Sequence, residues 1–275
     1  MLGTRPQSTA RTWTRGLRLG TVLLMWMFHR PLTGIGVMVA QVLRAAHRSD
    51  LPSLINQDPS GVFGREGLPP LRIVVLGDSS VTSPGVEPLS ASWPQQVAAH
   101  LADRYRVELE SVAVGGSKAR DVLRVQLEPA IGLAPDIALV SVGANDALRG
   151  TPVRRFEAEL DLVVARLAEA TPRVGLSGVG DLGTIPRLPV VARAAAGVRG
   201  RSIDGAIRRV AARHPGVVKS RAWGEGWEAF ASQPEVIFAG DQFHAGAAGH
   251  AVFAVAMIAV VDALLAAPTG KSVIA

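Results

Sequence analysis

The sequence predicts an α/β domain of three layers, helices on both faces of a parallel sheet, preceded by an apolar helical segment. Three observations carry this reading. Short aliphatic, β-branched runs alternate with longer helical stretches, and two of those runs lead into a glycine. Hydrophobic residues make up 48% of the 275-residue chain against 19% charged, enough to build one sizeable core. Alternating strands and helices imply a parallel sheet, and such sheets bind ligands outside the carboxyl ends of their strands.

Residues 1–18 are polar and basic, with Arg5, Arg11, Arg15 and Arg18 ahead of an apolar stretch. Residues 19–43 are long and apolar enough to cross a bilayer as a helix, yet His29, Arg30 and Pro31 fall in the middle. A charge at mid-bilayer is costly, and proline breaks helices. The stretch reads in three ways: a signal peptide with Leu19–Phe28 as its apolar region, a kinked or tilted membrane helix, or two short helices lying on a membrane or on the protein. No small-x-small cleavage site follows Phe28, which disfavours the first. A retained segment, associating with a membrane through residues 19–43, is the expectation, and it places the protein at a membrane or in the cell envelope. The excess of positive charge ahead of it favours an external domain, while the cytoplasmic face stays open.

Residues 49–70, rich in Asp, Pro, Ser and Gly without periodicity, read as a linker. The globular domain is expected over 71–267, with a tail at 268–275. Leu71–Leu76 has the composition of a buried parallel strand. Ser92–Arg104 reads as a helix with Trp93, Val97 and Leu101 on one face, Tyr105–Val112 as a strand and Ala119–Leu127 as a helix. Ile137–Val142 is a third strand, Val153–Ala170 a helix, and Arg173–Val179 a fourth strand. Ala194–His214, a short strand at Val217–Lys219 and a closing helix at Ala247–Leu265 complete the order.

Absence of cysteine excludes disulfides, thiolate metal sites and a cysteine nucleophile. The net charge of +6 comes from scattered arginines, among them Arg208, Arg209 and Arg213 on one helix. No basic run is interleaved with aromatics, so nucleic acid is not an expected partner. Attraction of the N-terminal arginines to anionic headgroups fits better. The Asp and Glu residues form no ligand cluster, so neither a metal nor an organic cofactor is expected. Oligomeric state is not legible.

Four places carry chemistry. The first strand ends in Gly77-Asp78-Ser79-Ser80, where an α/β sheet presents reactive groups. A serine hydroxyl becomes a nucleophile once a neighbouring base removes its proton; alone, the tripeptide reads better as a helix cap or turn. Gly115-Gly116 follows the second strand and offers backbone N–H groups that can approach a ligand, or simply a turn. Gly143-Ala144-Asn145-Asp146 follows the third, and Asn145 could donate to an oxyanion or, alone, cap a helix. Asp241-Gln242-Phe243-His244 precedes the last helix, and one loop could deliver an imidazole base together with the carboxylate that orients it. His29, His47, His100, His214 and His250 lack such a companion in sequence and read as surface or packing residues. Each signal is weak by itself; their order and placement are not.

These blocks resemble those of the SGNH hydrolases, also called GDSL-type esterases and lipases, named for Ser, Gly, Asn and His. The matching residues are Ser79 in VVLGDSS, Gly116 in VAVGGS, Asn145 in SVGAND and His244 in DQFH. The resemblance spans about Leu71 to Leu265 and implies a flavodoxin-like sheet. It also implies that Ser79 attacks an acyl carbonyl, that His244 takes its proton and that Asp241 orients His244. The Ser79 and Gly116 N–H groups and the Asn145 amide would form the oxyanion hole. Ser80 stands where the family's name-giving motif has Leu, and Ala245-Gly246 where many members have Pro-Ser or Pro-Asn. Ser177–Pro189 is similar to the family loop that shapes the substrate pocket.

The expected function is hydrolysis of a small-molecule or lipid carboxylic ester through an acyl-enzyme. Two alternatives are an acyltransferase passing the acyl group to a sugar or lipid hydroxyl, and a non-catalytic membrane-anchored binding module. Acyl chain length is hidden in pocket shape.

Overall fold

The computed structural model describes residues 50–224 and 226–267, so the apolar segment at 19–43 and the tail from 268 lie outside the described residues. Six strands form one sheet: β1 (Gly61–Phe63), β2 (Pro70–Gly77), β3 (Arg106–Ser111), β4 (Ile137–Ser141), β5 (Val174–Leu176) and β6 (Val217–Lys219). Their spatial order is β1-β3-β2-β4-β5-β6, and every pairing is parallel except β1 against β3. From the central β2 the chain moves outward to β3, then returns to β4 on the other side. That reversal is the flavodoxin-like switch point, and it opens a crevice beyond the ends of β2 and β4.

Side chains alternate between two cores. Val74 and Leu76 of β2, with Ala138 and Val140 of β4, face α3 (residues 119–132), α5 (Val153–Ala170) and α6 (Val190–Arg213). Ile73 and Val75, with Ile137 and Leu139, face α2 (Trp93–Leu101) and α9 (Ala247–Ala266). Because both faces are covered, these strands read as unbroken apolar runs. Helix α5 buries Phe156, Leu160, Val163, Val164 and Leu167, one stripe at helical spacing. Its outer face binds α6: Glu157 pairs with Arg209 and Arg213 at 2.6 and 2.8 Å, and Asp161 with Arg213 at 3.1 Å. Helix α9 is long and apolar enough to cross a membrane, but its Ala254, Met257, Val261 and Leu264 stripe packs into the second core.

Residues 50–70 need correction, for they are more than a linker. Val62 pairs with Glu108 of β3, and Gln57 is pinned through its N–H to Thr82 O at 2.7 Å and through Nε2 to Ser83 O at 2.8 Å. A three-residue edge strand held by backbone bonds, with Val62 largely exposed, leaves no periodic side-chain signature. Helix α6 starts at Val190 rather than Ala194, directly after Pro189. The expected helix at 119–127 runs on to Gly132 through a π-helical turn at Val122–Gln126. The wide turn comes just ahead of Pro129, which cannot join a regular helical hydrogen-bond ladder. Two further short helices, α7 (Ala229–Ser232) and α8 (Pro234–Ile237), lie in the irregular stretch before α9.

Candidate active site

The end of β2 admits only glycine. Gly77 has φ +154°, and a Cβ there would lie 2.1 Å from the Ser141 carbonyl oxygen. Beyond it the backbone turns at once into the short helix α1 (Ser79–Thr82), and the Asp78 carboxylate caps it by accepting from the Ser80 N–H at 2.9 Å. The cap reading therefore holds for Asp78, and it leaves Ser79 half-buried at the first helical position. Ser80 Oγ meets Ser141 Oγ at 2.7 Å, tying this turn to the end of β4.

Gly143, at φ +131°, makes the corresponding turn after β4 and opens α4 (Ala144–Leu148). Two neighbours on α4 diverge. Asn145 Nδ2 donates to Asp78 Oδ2 at 3.2 Å, whereas Asp146 Oδ2 accepts from the Ala119 N–H at 3.0 Å, at the start of α3. Burial pushes both the Asp78 and Asp146 carboxyls above the ordinary carboxylate range. Gly116, at φ +80° and half-buried, sits in the turn after β3, where the Asn56 side chain lies against Gly115.

The Asp241–His244 loop is tight, and Gln242 adopts φ +58° to close it. Asp241, 3% exposed, accepts on Oδ1 from the Phe243 and His244 N–H groups at 3.0 Å each, and its Oδ2 lies 2.6 Å from His244 Nδ1. Burial raises the Asp241 carboxyl, but bonds from the His244 ring and the two backbone amides outweigh it and hold the group below the ordinary range. With Nδ1 facing a carboxylate, the proton belongs on Nδ1 and the lone pair on Nε2. The loop is anchored on both sides: Ala239 N donates to His244 O at 2.8 Å, and Arg187 N to Gln242 O at 2.9 Å.

Ser79 and His244 line the same cavity, of about 390 Å³. Asp241 stands behind His244, and Gly116 and Asn145 are not among the residues that line it. Ser177–Leu182, Thr184 and Ile185 form part of its wall, from the segment expected to shape the pocket. Beside this segment the lining is aromatic: Trp227, Phe230 and Phe253 pack with ring centroids 5.5–5.6 Å apart, and Phe238 meets Phe230 edge-on at 5.6 Å. Arg201 lies over Trp223 at 5.0 Å, and both contribute to the lining.

Several residues near the site carried no local signal. His250, 1% exposed, accepts on Nδ1 from the Trp93 N–H at 3.2 Å and so caps α2 in place of Ser92, whose hydroxyl has no partner. Trp93 Nε1 reaches back to Ser80 O at 2.7 Å. Burial, with the nearby His244, lowers the His250 pKa to about 3, so the ring stays neutral where it caps α2 and borders the cavity. His100 is exposed and His214 half-buried; each pairs with a carboxylate far along the chain, Asp262 at 3.0 Å and Asp161 at 2.9 Å, and neither lines the cavity. Among the described residues, no group of three or more His, Cys, Asp or Glu side chains is placed to hold a metal ion.

A family model described as GDSL-like lipase/acylhydrolase matches residues 75–252. The chain is 27% identical over 244 residues to the GDSL-like esterase Rv1075c of Mycobacterium tuberculosis, covering 83% of this chain and 77% of that protein. Among solved structures it is similar to LAE5, an alpha/beta hydrolase enzyme from the metagenome of Lake Arreo, at 24% identity and TM-score 0.57, over 72% of this chain and 97% of that one. It is also similar to the psychrotrophic esterase EstA from Pseudoalteromonas sp., at 17% identity and TM-score 0.55, over 70% and 98% of the two chains. At these identities the two structures speak to the fold alone.

Proposed function

The chain belongs to the GDSL-like lipase/acylhydrolase family, and from that premise we propose that it hydrolyses carboxylic esters through an acyl-enzyme on Ser79. The observation that carries the reading is the shared cavity: Ser79 faces it together with His244, whose Nδ1 is 2.6 Å from Asp241 Oδ2. His244 Nε2 takes the Ser79 proton as Oγ attacks the acyl carbon. Asp241 holds the ring in the required tautomer and stabilises the imidazolium. The tetrahedral oxyanion is received by the Ser79 and Gly116 N–H groups and the Asn145 amide. Two features support these donors. The first N–H of a helix has no intrahelical acceptor, which suits Ser79 on α1. Asn145 Nδ2 carries two hydrogens and directs one to Asp78, leaving a second. Collapse expels the alcohol with the proton from His244, and water then releases the acid by the same steps.

The rings of Trp227, Phe230 and Phe253 support an ester whose acyl group is apolar. Fluorophosphonate labelling with peptide mapping tests the mechanism. The expected result is label on the peptide containing Ser79, and none in Ser79→Ala. Label that persists in Ser79→Ala would remove this serine from the chemistry.

A further inference from the structure

Gln126 ends the π-helical turn of α3 and is 1% exposed, a long polar side chain brought wholly inside. Such turns are rare and concentrate at functional places. Here the turn aims one amide at the sheet end. Gln126 Oε1 accepts from the Gly77 N–H at 2.8 Å, while Nε2 donates to Gly77 O at 2.9 Å and to Ser117 Oγ at 3.0 Å. Ser117 Oγ donates to Val114 O at 2.7 Å, and the Val114 N–H donates to Gly77 O at 3.2 Å. The four residues close a ring of bonds, which fixes the amide's orientation, since only its oxygen can meet the Gly77 N–H.

The ring joins the turn that leads to Ser79 and the turn that contains Gly116, the two proposed main-chain oxyanion donors. Gly77 stands two residues before Ser79, and Ser117 one residue after Gly116. Gln126 thus adds a side-chain brace to the one backbone bond in the ring that joins the turns directly, Val114 N–H to Gly77 O. We infer that Gln126 is a positioning residue that sets the spacing between the Ser79 and Gly116 main-chain amides. The inference rests on the acyl-transfer reading above, in which both amides receive the oxyanion. Such donors work only within about 2.7–3.1 Å of the developing charge, and a misplacement of about 1 Å can cost about 100-fold in rate.

The test is Gln126→Leu, with reactive serine counted by fluorophosphonate titration and p-nitrophenyl ester kinetics expressed per titrated site. The expected result is a kcat per site lower by about 10- to 100-fold with KM changed less than about twofold. Affinity for a boronic acid, which forms a tetrahedral adduct on serine, should fall by the same factor as kcat. A merely structural Gln126 would lower thermal stability and the number of titratable sites but leave kcat per site at the wild-type value, and that outcome overturns the inference. Ser117→Ala opens the ring on one side and should show the same signature at about 3- to 10-fold. If Gln126→Leu does not fold, Ser117→Ala decides, and an unchanged kcat per site overturns the inference. A wild-type protein that takes no fluorophosphonate fails the acyl-transfer reading itself, and the inference falls with it, a result separate from that of either variant.

Discussion

The two sides of the cavity are built on opposite plans. On one side, the ends of β2 and β4 turn within a residue or two through Gly77 and Gly143, and Ser79 sits where the sheet itself places it. On the other, largely irregular backbone at 177–188 and 220–239, with the start of α9, brings together rings from Trp223 to Phe253. The first side is rigid because any added atom collides: a Cβ at Gly77 would meet Ser141 O at 2.1 Å. The second is held by ring packing, which tolerates exchange of one apolar shape for another. In the proposed reaction this contrast becomes a division of labour, with the nucleophile on a strand end, its base on the Asp241–His244 loop, and the choice of acyl group left to the rings.

That division can be broken experimentally, and the largest effects are expected on the chemical side. Asp241→Asn should reduce kcat by about 10⁴-fold with the fold intact, because an amide no longer stabilises the imidazolium or its tautomer. Steady-state kinetics at neutral pH measures this, and a loss of tenfold or less (roughly, against the scale of such triads) would detach Asp241 from the reaction. Asn145→Ala should cost about 100- to 1,000-fold in kcat, uniformly across ester chain lengths. Unchanged turnover would remove Asn145 from the oxyanion site, and a loss confined to certain chain lengths would place it with the rings. Trp227→Ala should instead change the ratio of kcat/KM between long and short p-nitrophenyl esters by roughly tenfold while the shortest ester is hydrolysed at nearly the original rate. Equal losses for all esters would erase the contrast between the two sides.

The smallest effect is a control distant from both. Glu157 is held at about 2 rather than 4.5 by hydrogen bonds from Arg209 and Arg213. The folded carboxyl binds protons more weakly than the unfolded one, so its stabilisation is full above about pH 4.5 and is lost as pH falls through about 2. Glu157→Gln should therefore lower Tm slightly at neutral pH and flatten its decline on acidification, with esterase kinetics unchanged. A Tm profile parallel to wild type would show that the α5–α6 ion pairs contribute nothing measurable.

How much was legible in the sequence follows the same divide. Strands β2 and β4 are continuous apolar runs, and the turns after β2, β3 and β4 announce themselves by glycine beside Ser, Asn or another glycine. Asp241 and His244 are three residues apart, so their partnership could be read locally and appears as a 2.6 Å contact. Other features depend on partners far along the chain. Trp93 and His250 are 157 positions apart and Gln126 and Gly77 are 49 apart, and no periodicity encodes either bond. Strand β1 escaped notice because it is three residues long, with Val62 exposed and only Phe63 packed against the core, too little to show a period. The aromatic wall was invisible for a related reason: its rings come from the short helix α7, the loops on either side of α7 and α8, and α9, which share no common spacing.

The placing of Trp227 against Phe230 and Phe253 has an optical consequence. Among the described residues, two of the three indoles, Trp223 and Trp227, border the cavity. An aliphatic tail that displaces water from Trp227 would shift its emission toward the blue and shield it from soluble quenchers. The molecule thus carries an intrinsic fluorophore where the guest is expected to lie, so occupancy by a non-cleavable analogue can be followed without attaching a dye.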